Sequence, residues 1–229
     1  MHLFYQPQVA NGIHHLSKEE SQHCIRVLRK KNGDEINITD GLGWLYSANI
    51  ISDNPKKCEF NLKGQTKEEQ KNYSVHIGIA PPKNIDRLEW FVEKATEIGI
   101  DEITLLKTDN SERTSVKTER LKKKAISAMK QSLKYRLPIV NPIINFSEVL
   151  QIESTSKCIA HVDSNNSTLL SSQVLKGKNF ILIGPEGDFS QNEVNLAAKF
   201  GWRKVSLGNS RLRTETAGLI ACHLVHIFN

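Results

Sequence analysis

The feature that most constrains the fold is an alternation of apolar and amphipathic segments that begins at residue 73. The apolar segments are short and have the composition of buried strands, and they lie at residues 74–80, 102–106, 157–162, 179–183 and 202–207. Helical segments separate several of them. Strands that alternate with helices predict a mostly parallel sheet with helices on both faces, which is an α/β fold.

Capping residues and apolar stripes mark the helices in this part of the chain. The first helix ends at Gly99 and carries one apolar stripe, which consists of Leu88, Phe91, Val92, Ala95 and Ile98. A basic helix is predicted over residues 118–133. Ser190 and Glu193 form a capping box that opens a third helix, and a final helix is predicted over residues 214–228.

Residues 1–70 have the character of a small β-rich module. Apolar and polar side chains alternate over residues 35–39 and 58–63, which predicts two half-buried strands. Residues 64–72 are polar and have no apolar period, so we expect them to be a linker. The chain is therefore predicted to form two domains, a small one before the linker and a larger one after it.

One helix is predicted inside the small module. Ser17 and Glu20 have the spacing of a capping box, and the helix is expected to run to about Leu28. Its exit is basic because Arg26 and Arg29 lie there together with two lysines. Arginines at such a position are suited to holding phosphates.

Composition excludes several classes of protein. The chain has 229 residues, 38% of them hydrophobic, which suffices for a sizeable core. It has no apolar run of membrane-spanning length and no signal-peptide pattern at its start, so a cytoplasmic protein is expected. His223 and His226 lie one helical turn apart without a third ligand, so we interpret them as packing residues and expect no metal. The cysteines are scattered, which predicts reduced thiols; they are Cys24, Cys58, Cys158 and Cys222.

Positive charge is concentrated in one segment. The formal net charge is +6, and residues 107–136 hold 10 lysines and arginines against 3 acidic residues. Such a basic belt favours an acidic partner, most often phosphate. For the lysine run at 122–124 taken alone, a solvated helix face is the simpler interpretation.

Two loops at predicted strand ends carry the chemistry. Glycines flank a Pro-Glu pair after the strand at 179–183, and Gly208 follows the strand at 202–207 and precedes two arginines. Ligands of parallel sheets bind beyond the carboxyl ends of strands, and glycine lets the backbone approach a ligand closely. Each loop alone is compatible with an ordinary turn, but together they favour a nucleotide-like ligand. Neither a Gly-x-Gly-x-x-Gly pattern nor a phosphate-binding lysine loop is present.

These loops resemble the two signature loops of the bacterial 16S ribosomal RNA uridine-N3 methyltransferase family, part of the SPOUT superfamily. The first matching segment is Ile183-Gly184-Pro185-Glu186-Gly187, followed by Phe189-Ser190. The second is Leu207-Gly208, followed by Leu212-Arg213-Thr214-Glu215-Thr216-Ala217. Weaker similarity covers nearly the whole chain and includes Arg26, Arg29, Lys94 and Arg113.

The resemblance implies a fold, a cofactor and partners. The fold would be a SPOUT-type trefoil-knotted parallel sheet over residues 73–229, preceded by a small β-barrel PUA-like RNA-binding domain over residues 1–70. The cofactor would be S-adenosyl-L-methionine, and the partner would be 16S ribosomal RNA or the small ribosomal subunit. A homodimer is expected because SPOUT enzymes typically dimerise through the knotted domain.

The resemblance also implies roles for individual residues. The cofactor would contact residues of both loops, namely Ile183, Gly184, Pro185, Glu186, Gly187, Leu207, Gly208, Leu212, Thr214 and Ala217. Candidates for stabilising an anion or moving a proton are Arg211, Arg213 and Glu215. RNA-binding candidates are Arg26, Arg29, Lys94, Arg113, Lys122, Lys123, Lys124, Gln131 and Arg136.

Three positions depart from the family pattern. Asp188 stands where a second glycine usually follows Gly187, Lys130 stands where many members have glutamate, and Leu133 stands where they have glycine. The roles of that glutamate and that glycine therefore cannot be carried over.

Two other functions remain open at this stage. One is a SPOUT methyltransferase for another RNA site, such as a ribose hydroxyl of transfer RNA. The other is a non-catalytic RNA-binding or ribosome-assembly protein, against which the glycine-rich loops argue.

Overall fold

The computed structural model describes residues 2–162 and 168–229. The chain forms two compact units. The first unit comprises the residues up to Gln70 together with Ile126–Leu137. The second comprises Lys71–Ala125 and Pro138–Asn229. No helix of the described residues is long and apolar enough to cross a membrane.

The first unit is built on a four-stranded sheet in the order β1-β2-β3-β4. Its strands are β1 (Leu3–Tyr5), β2 (Glu35–Thr39), β3 (Trp44–Ser52) and β4 (Glu59–Lys67). The pair β1–β2 is parallel, and the other two pairs are antiparallel. Buried side chains from all four strands form its core, among them Phe4, Ile38, Ile50 and Phe60. The two strands predicted in this unit are confirmed.

The predicted linker is wrong at its start. Residues 64–67 continue β4 and pair with β3, with Gly64 opposite Ser47 and Lys67 opposite Trp44. Their side chains are exposed. Strand pairing here rests on the backbone, so a polar segment without an apolar period still forms the strand.

The predicted capping box at the first helix forms only in part. The helix α1 (Lys18–Gln22) continues as a π-helical turn over His23–Val27. The Ser17 hydroxyl accepts a hydrogen bond from the backbone N–H of Glu20 at 3.2 Å. The carboxylate of Glu20, however, pairs with the ammonium group of Lys130. The Glu20 carboxylate therefore binds Lys130, far away in the sequence, and not the backbone N–H at the helix start, as it would in a complete capping box.

The second unit contains a six-stranded sheet in the order β10-β8-β9-β5-β6-β7, in which every neighbouring pair is parallel. Its strands are β5 (Tyr73–Ile79), β6 (Glu102–Lys107), β7 (Ile139–Asn145), β8 (Ser156–Ala160), β9 (Gly177–Ile183) and β10 (Arg203–Val205). The predicted parallel sheet is confirmed. The strand β7 has few buried side chains, so its sequence lacks the apolar run that identifies the others.

The helices of the second unit are α2 (Ile85–Ile98), α4 (Phe146–Val149), α5 (Gln191–Lys199) and α6 (Thr214–Ile227). The helix α3 (Thr118–Gln131) begins in the second unit, and its residues from Ile126 onward belong to the first. Gly99 ends α2 in the left-handed conformation, as its position predicts. The capping box of Ser190 and Glu193 at α5 is complete. The strand β10 is shorter than predicted: Trp202 lies buried in the core before it, and Ser206 after it pairs with Leu169 instead of β8.

A buried histidine lies in the centre of this sheet. His76 on β5 is 1% exposed, and its ring stacks on Phe180 with the centroids 3.5 Å apart. Its Nε2 lies 2.8 Å from the hydroxyl of Thr104. Burial lowers the pKa of His76 from 6.5 to about 3, because a charged ring would lose its hydration.

Stability is therefore expected to fall in mild acid. Between the unfolded pKa of 6.5 and the folded pKa of about 3, the unfolded chain binds a proton that the folded chain does not. The contribution of the neutral His76 ring to the free energy of unfolding is fully present above the unfolded pKa and decreases as the pH falls. Between pH 7 and pH 5, His76→Gln should lose about 2 kcal/mol less unfolding free energy than the wild type.

Urea unfolding at a series of pH values measures this difference. His223→Gln serves as the control because His223 is exposed. Equal pH dependence of the two variants would contradict the assignment to His76.

Candidate active site

The two glycine-bearing loops meet at one edge of the parallel sheet. The strand β9 ends at Ile183, whose carbonyl accepts a hydrogen bond from the backbone N–H of Ala80. The next carbonyl, that of Gly184, accepts a hydrogen bond from the hydroxyl of Thr214 at 3.1 Å. Thr214 is buried and is the first residue of α6. The structure therefore brings together the two segments that the sequence predicts to share a ligand.

The loop after β9 turns through a residue in the left-handed conformation. Asp188 has a φ of 59°, and its N–H donates to the carbonyl of Pro185. Aspartate tolerates this conformation better than most residues because its short polar side chain can bond locally. One carboxylate oxygen accepts from the N–H of Phe189 at 2.7 Å. The other accepts from the N–H of Val162 at 2.9 Å and lies 2.9 Å from Nδ1 of His161.

The departure at Asp188 thus has a physical account. Glycine is the residue that adopts a positive φ at least cost, and aspartate holds the same turn here with added hydrogen bonds. Those bonds join the loop after β9 to the segment that follows β8.

Two residues that the sequence did not indicate support the same loop. Asn110 lies just beyond β6, and its side-chain amide donates to the carbonyls of Gly187 and Asp188 at 3.2 and 2.9 Å. Asp109 accepts from the hydroxyl of Ser190 at 2.6 Å and donates its backbone N–H to Glu193. Burial raises the pKa of Glu193. The only sequence feature that indicates a role for Asp109 and Asn110 is their position directly after a predicted strand.

Gly208 is placed where glycine is required. Its φ is +120°, a conformation that side chains rarely adopt. A Cβ built on it would have no heavy atom within 4 Å in the described part of the chain. The hydroxyl of Ser206 accepts from the N–H of Gly208 at 3.2 Å and helps to hold the turn. The backbone therefore borders open space at this point, as a ligand-contacting loop must.

The catalytic candidates lie in and beside the second loop. Arg211 and Arg213 are exposed, whereas Glu215 is 7% exposed. The carboxylate of Glu215 lies 3.8 Å from Nε of Arg87 on α2. Its second oxygen is buried and has no hydrogen-bond partner among residues 2–162 and 168–229. The arginine beside Glu215 is therefore Arg87, which sequence reasoning missed because α2 is more than a hundred residues away.

The predicted RNA-binding residue Arg113 is connected through Lys83 to the loop after β9. Its guanidinium donates to the carbonyl of Lys83 at 2.7 Å. The backbone N–H of Lys83 in turn donates to the carboxylate of Glu186 at 3.2 Å. Two hydrogen bonds thus link Arg113 to Glu186 of the predicted cofactor loop.

The lysine run on α3 is partly neutralised within the chain. Lys122 pairs with Glu119 at 3.0 Å, and Lys124 pairs with Glu93 at 3.6 Å. Lys123 is exposed. Lys94 is held between two carboxylates of its own helix, those of Glu93 and Glu97.

The remaining RNA-binding candidates belong to the first unit. Arg26, Arg29 and Gln131 are exposed, and Nε of Arg136 lies 3.2 Å from the carboxylate of Glu68. Leu133, where many family members have glycine, has a φ of 55°. Leucine thus adopts a positive φ here, a conformation that glycine adopts at lower cost.

Two family models match the chain. Residues 68–226 match the RNA methyltransferase domain, and residues 16–63 match the RNA methyltransferase PUA domain. Together with the parallel sheet and its joined loops, these matches define the class of the protein as an RNA methyltransferase with a PUA-like N-terminal module.

Relatives narrow the class further. The chain is 30% identical to Ribosomal RNA small subunit methyltransferase E of Rickettsia conorii over 93% of this chain and 88% of the relative. It is 29% identical to the Bacillus subtilis protein of the same name over 90% of this chain and 86% of that one. A probable rRNA-methyltransferase from Porphyromonas gingivalis has a similar structure, with a TM-score of 0.93, 40% identity and coverage of 100% and 98% of the two chains. The chain belongs to the ribosomal RNA small subunit methyltransferase E family.

One further solved structure shares the fold. It is a ribosomal RNA small subunit methyltransferase E from Neisseria gonorrhoeae bound to S-adenosyl methionine, with a TM-score of 0.88, 24% identity and coverage of 99% and 97% of the two chains.

Proposed function

We propose that the protein transfers a methyl group from S-adenosylmethionine to N3 of a uridine in 16S ribosomal RNA. The observation that carries this proposal is the hydrogen bond between Thr214 and Gly184, which joins the two glycine-bearing loops at the carboxyl edge of the parallel sheet. The names of the relatives support ribosomal RNA of the small subunit as the substrate. The cofactor bound in the Neisseria gonorrhoeae structure supports the methyl donor.

The loops fit such a cofactor. Gly208 presents backbone to open space, and the side-chain amide of Asn110 holds the loop after β9 in place. A loop held in place before binding costs the ligand little ordering entropy. The residues proposed to contact the cofactor are those predicted from sequence, Ile183, Gly184, Pro185, Glu186, Gly187, Leu207, Gly208, Leu212, Thr214 and Ala217. The knotted path of the chain stays a prediction of the family resemblance.

The chemistry requires help for the acceptor nitrogen. S-adenosylmethionine supplies a methyl group on a sulfonium, which is already activated for transfer. Uracil N3 carries a proton and its lone pair is delocalised, so a residue must accept that proton or stabilise charge on the carbonyl oxygens. Arg211 and Arg213 are exposed cations beside the second loop and are our candidates for stabilising that charge. Glu215 has one carboxylate oxygen that makes no hydrogen bond in the described part, and it is our candidate for accepting the proton.

Each unit has its own candidates for holding RNA phosphates. Arg26 and Arg29 are the candidates on the first unit because both are exposed at the end of its helix. Arg113 is the candidate beside the cofactor loop. Gln131, Arg136, Lys94 and the lysine run at 122–124 complete the predicted set.

Nucleoside analysis tests the reaction. Ribosomal RNA from cells with and without this protein should differ by one N3-methyluridine in 16S ribosomal RNA, detected by mass spectrometry. The purified protein with S-adenosylmethionine should restore it. A methyl group on a ribose hydroxyl or in transfer RNA would contradict the proposed acceptor, and no methylation at all would contradict the enzymatic function.

Cofactor binding depends on the backbone at Gly208. Gly208→Val should abolish S-adenosylmethionine binding in calorimetry, because valine is strained at this φ and its side chain fills the space that the loop borders. Gly201→Val is the matched control. Gly201 has a φ of +79° and equally open surroundings, but it lies at the end of α5. The control should keep its cofactor affinity, and circular dichroism should show both variants folded; equal affinities of the two variants would refute the pocket.

We propose further that the protein acts as a homodimer through α6. The buried side of this helix carries Gly218, Ala221, Cys222 and Val225. A Cβ on Gly218 would lie 2.7 Å from the ring of Phe91, so α6 packs closely on α2. Apolar residues remain outside this contact, with Ile220 and Leu224 half-buried and Ile227 and Phe228 more than half exposed. The same apolar patch on a second copy would cover them.

Sedimentation tests the dimer. At micromolar concentration the wild type should sediment at twice the chain mass of 25.9 kDa. Leu224→Glu should shift it toward the monomer, since a charge would be buried in the interface. His223→Glu is the control on the same helix, and a monomeric wild type would overturn the proposal.

A further inference from the structure

We infer that a second binding site lies in a cleft between α2 and α3, and that it holds an RNA nucleotide that neighbours the methylated one. The cleft has a volume of about 470 Å³. Its lining residues come from the start of α2, from the segment before α3 and from the first turn of α3. They are Ile85, Glu89, Arg113, Ser115, Val116, Lys117, Arg120 and Leu121. This inference rests on the proposed function, because the occupant is part of the RNA substrate.

Three cations face this cleft, and two of them are held in place. Arg120 pairs with Glu89, a carboxylate that is 5% exposed, and lies 3.7 Å from Asp86. The guanidinium of Arg113 is held by the carbonyls of Pro82 and Lys83. A guanidinium fixed in advance loses little side-chain entropy when it binds a phosphate or stacks on a base.

Lys117 is the third cation and differs from Lys122 and Lys124 of α3. Its ammonium group makes no hydrogen bond or ion pair within the described residues. Lys122 and Lys124, by contrast, are paired with carboxylates. Lys117 is therefore the cleft cation that is available to a phosphate.

The cleft also has apolar walls. Ile85, Val116 and Leu121 line it beside the guanidinium groups. A volume of this size lies within the range of about 300–1,000 Å³ that is usual for small-molecule sites. Apolar and guanidinium surfaces together suit an unstacked base of single-stranded RNA, whose phosphate then reaches the lysine. A free anion alone would leave the apolar walls unused.

The position of the cleft links it to the proposed active site. Arg113 lines the cleft and donates to Lys83, whose N–H donates to Glu186 in the loop after β9. A chain of two hydrogen bonds thus connects the cleft to the cofactor loop. Because the target uridine must reach the methyl donor, the cleft is placed to take an adjacent nucleotide.

Charge reversal at the cleft tests the phosphate contact. Lys117→Glu should raise the KM for 16S ribosomal RNA at least about fivefold and leave the affinity for S-adenosylmethionine unchanged. Lys176→Glu is the matched control, an exposed lysine before β9 that does not line the cleft and is not among the RNA-binding candidates, and it should change KM less than twofold. Lys117→Ala should also flatten the dependence of log affinity on log salt by roughly 0.7 to 0.9, the effect of one lost phosphate contact.

Filling the cleft tests the base contact without changing charge. Ser115→Trp places a large ring in the cleft, whereas Thr114→Trp places the same ring on an exposed residue that does not line it. The first should raise KM for RNA and the second should not. Equal effects of the paired variants, in either experiment, would overturn the inference.

Binding of 16S ribosomal RNA is measured separately from methylation, so the two proposals fail in different ways. If the wild type binds this RNA but does not methylate it, the proposed function fails. The cleft is then tested by comparing the RNA affinities of its variants with those of their controls. If the wild type methylates uridine N3 and the cleft variants match their controls, only the cleft is refuted.

Discussion

The hydrogen bond between the hydroxyl of Thr214 and the carbonyl of Gly184 is the contact on which the candidate site depends. Strands β9 and β10 both pair in parallel with β8, so the loops that follow β9 and β10 leave the same edge of the sheet. The loop after β9 then lies beside the start of α6. Side chains that follow β6, those of Asp109 and Asn110, hold the loop from a third direction. A site made from three separated segments can be stiff only if such cross-links join them.

Two departures from the family pattern share one backbone property. Asp188 and Leu133 both have a positive φ, and both stand where family members usually have glycine. The carboxylate of Asp188 accepts hydrogen bonds from the N–H groups of Phe189 and Val162 and lies beside the ring of His161. The side chain of Leu133 is apolar and cannot form such bonds. Both residues therefore adopt a conformation that glycine adopts at lower cost.

Ion pairs within the chain occupy some of its cations and leave others open to a phosphate. Lys130 pairs with Glu20, and Lys94 with Glu93 and Glu97. Arg26, Arg29 and Lys123 are exposed, and Lys117 faces a cleft. Exposed ion pairs add little stability, but each pair reduces the charge that is offered to a phosphate. The basic character of the segment at 107–136 is therefore unevenly distributed along it.

The sequence by itself determined the α/β class, the positions of the strands β5, β6 and β9, the capping box of α5 and the two glycine-bearing loops. It could do so because buried strands, amphipathic helices and left-handed glycines each leave a local pattern. It missed β7, whose half-exposed side chains give no apolar run, and it assigned the polar end of β4 to a linker. The pairings of Glu215 with Arg87, of Glu20 with Lys130 and of Asp188 with His161 were decided only by the tertiary structure. Each joins residues far apart in the chain, and a charge carries no local sign of the partner that packing will bring to it.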